Sequence, residues 1–105
     1  MKIQFNTDNN ITGTASLETY VSEKINSGLK QFEDKITRIE VHLADVNGPK
    51  TGKDDIHCTI EARLEGMQPI TVTGKDDTQH KAIADAISKM KAALTTVVGK
   101  MREHH

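Results

Sequence analysis

Residues 56–73 read IHCTIEARLEGMQPITVT. Ile56, Cys58, Ile60, Ala62 and Leu64 alternate with His57, Thr59, Glu61, Arg63 and Glu65. A period of two marks a strand with one buried face and one wet face. Asp54 or Asp55 opens that strand. Gly66-Met67-Gln68-Pro69 is a tight connection, and Ile70 to Thr73 returns, so the stretch predicts a β-hairpin.

Upstream, Arg38 to Ala44 alternates in the same way: Ile39, Val41 and Leu43 face inward, and Arg38, Glu40 and His42 face outward. The segment between these strands, Asp45 to Asp55, reads DVNGPKTGKDD and has the composition of a loop. A short opening strand is expected from Ile3 and Phe5 alternating with Lys2, Gln4 and Asn6. A polar loop over residues 7–13 follows. Thr14 fits a helix N-cap, with Glu18 in the first turns where the helix dipole favours an acid. Leu17, Tyr20, Val21, Ile25, Leu29 and Phe32 recur at helical spacing, which predicts a helix over Ala15 to Phe32. Gly28 lies on that stripe. A mid-helix glycine costs up to about 1 kcal/mol against alanine, so close packing against the sheet is expected there.

Downstream, Asp77 or Thr78 caps a second helix whose stripe is Ile83, Ile87, Met90, Leu94, Val97, Val98 and Met101. The order is β-α-β-β-β-α. Two one-sided helices need one apolar sheet face to cover. The expected fold is therefore α+β: a two-layer sandwich with a four-stranded sheet and both helices on one face. The other sheet face is polar.

The 105 residues bound one domain, expected over 1–102, with 103–105 read as a tail, native or the stub of an affinity tag. With no Trp and 35% hydrophobic residues, the core must be aliphatic. The lone Cys58 excludes an intramolecular disulfide and cannot build a thiolate metal site by itself. No apolar run approaches the roughly 18 residues of a membrane helix, and no signal peptide is read at the start. A cytoplasmic protein is the expectation.

The closing helix carries the strongest chemical signal. From Thr78 to Arg102 there is one acid, Asp85, against five bases: Lys81, Lys89, Lys91, Lys100 and Arg102. That is a local charge of about +4 on a chain of net −1, the footprint of an anionic partner. At about 100° per residue, Lys91 and Arg102 flank the apolar stripe on one side and Lys89 and Lys100 on the other. Lys81 points outward. The plain alternative is a solvated face with lysines snorkelling over the core edges.

Other constellations carry less. His42, His57, Glu40 and Glu61 share the open sheet face and could imitate a two-histidine, two-carboxylate metal site; an ordinary polar face is the simpler reading. Cys58 alternates inward and reads as a core residue, since a reactive thiol needs exposure and a base. Residues 47–53, NGPKTGK, lack the phosphate-loop spacing and read as a basic loop able to touch a phosphate backbone nonspecifically. No motif argues for catalysis, a cofactor or a small-molecule substrate.

In this order, the residues resemble those of the ribosome hibernation promoting factors, also called ribosome-associated inhibitors or ribosomal subunit interface proteins. The resemblance rests on Ile3-Gln4-Phe5, on Thr14 to Val21, on Lys24, on Lys30-Gln31-Phe32 and on Ile36 to Val41. Its strongest part is Gly74-Lys75-Asp76-Asp77 followed by Ala82-Ile83, Ile87, Lys89-Met90 and Leu94. It implies a fold similar to double-stranded-RNA-binding domains. It also implies a bacterial protein that binds small-subunit rRNA in the tRNA and mRNA channel and silences translation in stationary phase or stress. Bases of both helices would make the contacts: Lys24, Lys89 and Lys100 match family bases, Lys81 and Lys91 are extra, and Lys30 and Arg102 complete the expected rRNA-binding set. The chain is similar to the short members, which implies a second hibernation factor as a potential helper. It departs from the family where relatives carry further bases and this chain has Ala92, Thr96 and Val98. The competing reading is a protein-interaction module of the same fold without RNA binding, which the net charge of −1 favours.

Overall fold

The computed structural model describes residues 1–47 and 55–103, the last three by their backbone alone. The elements are β1 (Lys2–Thr7), α1 (Ala15–Gly28), a 3-10 turn (Lys30–Phe32), β2 (Ile36–Asp45), β3 (Ile56–Leu64), β4 (Ile70–Asp76) and α2 (Gln79–Glu103). They form one sheet in the order β1-β2-β3-β4. The last three strands are an antiparallel meander, as their short connections require. β1 runs parallel to β2, which needs a crossover, and α1 supplies it.

Register follows the apolar alternation. Ile39 pairs with Ala62, Val41 with Ile60 and Leu43 with Cys58, so each rung places two apolar side chains on the helix-covered face. Above them sit Val21, Ile25 and Leu29 from the first helical segment and Ile83, Met90 and Leu94 from α2, all fully buried. The core is mainly aliphatic, with Phe32, Met90 and the fully buried thiol Cys58 among its members.

Both helix starts are capped by threonine. Thr14 Oγ1 accepts the Leu17 N–H at 3.1 Å, and Thr78 Oγ1 accepts the Lys81 N–H at 3.2 Å. The structure differs from the sequence expectation at four places. α1 stops at Gly28 rather than at Phe32. The Leu29 N–H closes the last turn on Ile25 O, and the 3-10 turn then tightens the chain. β2 begins at Ile36, so the chain must reverse within a few residues, and the tighter turn does this while keeping Leu29 and Phe32 buried. Gly28 faces α2 rather than the sheet: a Cβ there would lie 2.6 Å from Ile87 Cγ2. β4 continues through Asp76 instead of ending at Thr73, because Gly74, Lys75 and Asp76 pair with Cys58, His57 and Ile56 of β3. α2 runs through Glu103, one residue into the stretch read as a tail.

Gly74 fixes the seat of α2. A Cβ there would come within 2.4 Å of Ala86 N and 2.5 Å of Ala82 O. The helix backbone thus rests directly on β4, with alanines at 82 and 86 beneath it, both fully buried. At the far end of the sheet, Val46 N–H donates to Asp55 O and Asn47 Nδ2 to Asp55 Oδ1 at 2.6 Å. These bonds tie the ends of β2 and β3 together. The basic loop expected over 47–53 lies, beyond Asn47, outside the described residues.

Candidate nucleic-acid interface

α1 and α2 lie side by side, and the seam between them opens into a groove of about 410 Å³. α1 contributes Tyr20, Lys24, Ser27 and Gly28, which fall one helical turn apart on one flank. α2 contributes Ile83, Ala84, Ile87, Ser88 and Lys91. Gly28, Ala84 and the two serines are short, which is why the seam is a groove and not a ridge. Lys24 and Lys91 rim it from opposite helices, and no carboxylate is among its lining residues. A second depression of about 360 Å³ lies between the 3-10 turn and the end of α2, lined by Gln31, Phe32, Lys35, Thr95, Val98 and Gly99. Lys35 is a base the sequence reading missed. It belongs to no helical period, and only the reversal after Phe32 brings it opposite Gly99.

Lys89 has a different environment. Its Nζ lies 3.1 Å from Asp85 Oδ2, one turn back on α2, and donates to Thr73 O at 3.1 Å. The same Asp85 oxygen accepts the Lys75 N–H at 3.2 Å. Thr73 and Lys75 have the same parity on β4, whose outer edge has no neighbouring strand among the described residues. The pair therefore occupies backbone groups that an edge strand would otherwise leave open. The hydrogen bond from Lys89 holds the Asp85 carboxyl below its ordinary value; partial burial opposes this, and the Lys75 N–H adds to it. Asp85 thus takes up Lys89 on the β4 side, and among the described residues no ion pair is made by Lys91 on the α1 side.

The open sheet face is charge-compensated. Arg38 pairs with Glu40 and Arg63 with Glu61, each at 2.9 Å, and Arg38 also donates to Gln4. Glu40 and Glu61 stand opposite one another in register, a repulsion that the two arginines relieve. Arg63 is held above its ordinary value by the hydrogen bond to Glu61 and by the charges of Glu61 and Glu40. His42 pairs with Thr59, while His57 pairs with Ala44 and Lys75, so the two histidines are diagonal rather than opposite. Among the described residues, no three His, Cys, Asp or Glu side chains converge to hold a metal. Burial pushes the Cys58 thiol up to about 12, so it is no nucleophile at neutral pH.

At the end of the α1–α2 groove, Tyr20 stacks on His80 with centroids 4.2 Å apart and planes within 19°. Lys24 Nζ lies 5.6 Å from the Tyr20 centroid. The sequence carried no signal of this contact, since it joins two helices sixty residues apart.

Residues 3–102 match the family model described as sigma 54 modulation protein / S30EA ribosomal protein. The chain belongs to that family. Solved structures that share its fold include the following two. The Thermus thermophilus Protein Y N-terminal domain is 23% identical, with a TM-score of 0.72, covering 92% of this chain and 99% of its own. A ribosomal subunit interface protein from Coxiella burnetii is 16% identical, with a TM-score of 0.77, covering 94% and 99%. No curated protein sequence matches. S30EA-family proteins are ribosome-associated factors. Among the described residues, no helix is long and apolar enough to cross a membrane.

Within this S30EA-family domain, the bases nominated from sequence do not form one patch. Lys24 and Lys91 meet across the groove. Lys30 is exposed on the 3-10 turn, and Lys81 and Lys100 are exposed on α2 outside both depressions. Lys89 is engaged at the β4 edge. Arg102 lies in the last turn of α2, and its side chain is outside the described residues. Val98 is a core residue, 5% exposed, so it is no vacant base position. Ala92 and Thr96 are exposed, and there the absence of bases leaves the outer ridge of α2 neutral.

Proposed function

We propose that this chain is a short ribosome hibernation factor that lays the α1–α2 groove on the phosphate backbone of small-subunit rRNA. Seated in the tRNA and mRNA channel, it silences translation by occlusion, which requires no catalytic group and no cofactor. It acts in the bacterial cytoplasm during stationary phase or stress, with a second hibernation factor as an optional helper. One observation carries the reading: an acid-free groove rimmed by Lys24 and Lys91, with Lys35 in a second acid-free depression, on a chain whose net charge is −1. Phosphate contacts set both affinity and its salt dependence. Few bases therefore mean binding that is strong only at low salt.

The test is co-sedimentation with purified small subunits across a salt series. The unmodified chain is expected to pellet with them at low salt, and the Lys24→Glu/Lys91→Glu double variant to stay in the supernatant. Absence of the unmodified chain from ribosomal fractions, in low salt and in starved cells alike, refutes the proposal. The compensated Arg–Glu face of the sheet favours a second reading, a protein-binding module. A partner recovered equally well from nuclease-treated, ribosome-free lysate would support that reading.

A further inference from the structure

The chain has three aromatic residues, Phe5, Phe32 and Tyr20. Phe32 is buried and Phe5 packs against the core, so Tyr20 is the one aromatic that reaches the groove surface. It is half-buried, and His80 lies flat against it, 4.2 Å away. His80 is exposed on the first turn of α2. The two rings are carried by different helices, so helix packing fixes the plane they present. Lys24, one turn along α1 from Tyr20, stands beside the pair and also rims the groove. A flat, exposed ring backed by a second ring, at the end of a cationic acid-free groove, matches the stacking platforms of proteins that hold single-stranded nucleic acid.

We propose that the outer face of His80, supported by Tyr20, stacks one unpaired nucleobase of the strand whose phosphates follow Lys24 and Lys91. This rests on the groove reading above and adds to it a base contact. The lysines attract the backbone irrespective of sequence. The ring pair selects for a strand whose base is free to leave its stack. A fully paired duplex offers no such base, so the site favours looped or single-stranded RNA. The stack is tolerant of base identity, because every base has a π-face.

The experiment compares the full chain binding a short oligouridylate with its binding an abasic oligomer of equal length and phosphate number, at matched salt. Stacking of about 1–3 kcal/mol per base corresponds to tighter binding of the oligouridylate by about 5- to 150-fold. His80→Ala should abolish that preference and leave the abasic affinity and its salt slope unchanged; His80→Phe should retain it. Tyr20 is the only tyrosine and there is no Trp, so intrinsic fluorescence reports on the platform directly. Oligouridylate, and not the abasic oligomer, should change it. Equal affinity of the unmodified chain for both oligomers, or a preference that survives in His80→Ala, overturns the stacking site. Lys24→Ala and Lys91→Ala test the groove separately, since they should weaken both oligomers alike. If neither change weakens either oligomer, the groove reading fails whatever the base preference. Failure of the unmodified chain to bind either oligomer overturns both.

Discussion

Gly74→Ala tests whether α2 is seated by backbone contact. The added methyl would lie 2.4 Å from Ala86 N, 2.5 Å from Ala82 O and 2.9 Å from Ala86 Cα. Non-bonded carbons rest at about 3.5–4.0 Å, so the deficit is about 1 Å. All three obstacles belong to helix backbone, so no side chain can rotate away and α2 must lift off β4. A gap of that size forfeits a quarter to a half of the dispersion energy of each contact it opens. The lift also pulls Asp85 and Lys89 from their β4 partners. Overpacking of this kind costs about 1–3 kcal/mol, and here the rigid obstacles place it at the upper end. Removing a strand glycine returns about 0.5–1 kcal/mol. The net is a loss of about 2–2.5 kcal/mol, which at about 2.1 cal/mol/K per residue lowers Tm by roughly 9–11 °C. Thermal melts followed by far-UV circular dichroism measure it. Gly99→Ala is the internal control: a Cβ there meets nothing within 4 Å, and α2 should gain about 0.5–1 kcal/mol. A Gly74→Ala protein melting within about 2 °C of the parent would refute the seating argument.

Three further outcomes are expected. Asp85 titrates below its ordinary 3.8 in the folded state, so its contribution is complete above that value and is lost as pH falls through the lowered one. Asp85→Asn should therefore flatten the acid limb of the stability profile by only about 0.3–0.5 kcal/mol, because the pair is solvent-screened; equilibrium urea unfolding from pH 2 to 7 reads it. Cys58 should react with a thiol reagent at pH 8 no faster than the chain globally unfolds, since its thiol is buried and raised to about 12; rapid native-state labelling would contradict its placement. Lys91→Ala should reduce the salt slope of small-subunit binding by about 0.7–0.9. Lys89→Ala should reduce it less, because its ammonium already serves Asp85 and Thr73. Equal reductions would show that the Lys89 pair opens on binding.

The fold was legible because each strand repeats every second residue and each helix carries one stripe. Alternation alone put Ile39, Val41 and Leu43 on the same covered face as Ala62, Ile60 and Cys58; their register came from the structure. The end of α1 was not legible, because Leu29 and Phe32 keep helical spacing through a 3-10 turn and are buried either way. Gly28 was recognisable as a contact, but one glycine does not say whether sheet or helix approaches it. Gly74-Lys75-Asp76-Asp77 opens the strongest part of the family resemblance. In the structure Gly74 is the seat of α2, and the Lys75 N–H is an edge group that Asp85 satisfies. The site was half legible: helical geometry placed Lys89 and Lys91 on opposite flanks, but could not say that one flank meets a carboxylate and the other a groove. Lys35 and the Tyr20–His80 stack depend on chain reversal and helix docking, which leave no trace in local periodicity.

The net charge of −1 had counted against an anionic partner, and the distribution of the acids removes most of that weight. Glu40 and Glu61 are consumed by Arg38 and Arg63 on the sheet face away from the helices. Asp8 accepts the Asn10 and Asp45 N–H groups, and Asp55 accepts from Asn47, at the end of the sheet. Asp85 is spent on Lys89 and the β4 edge. Glu23 lines a shallow depression that it shares with Tyr20. At physiological ionic strength exposed charges are screened beyond about 8 Å. A phosphate in the groove therefore responds to Lys24 and Lys91 and barely to the paired acids on the opposite face. Total charge measures solubility and long-range steering; the local field decides what the seam between the helices can hold. Glu23→Gln removes an acid beside Tyr20, and should tighten RNA binding while leaving the fold untouched. A Glu23→Gln chain that binds no better would mean that the backbone does not pass the Tyr20 end of the groove, and the path along Lys24 would have to be redrawn toward Lys35.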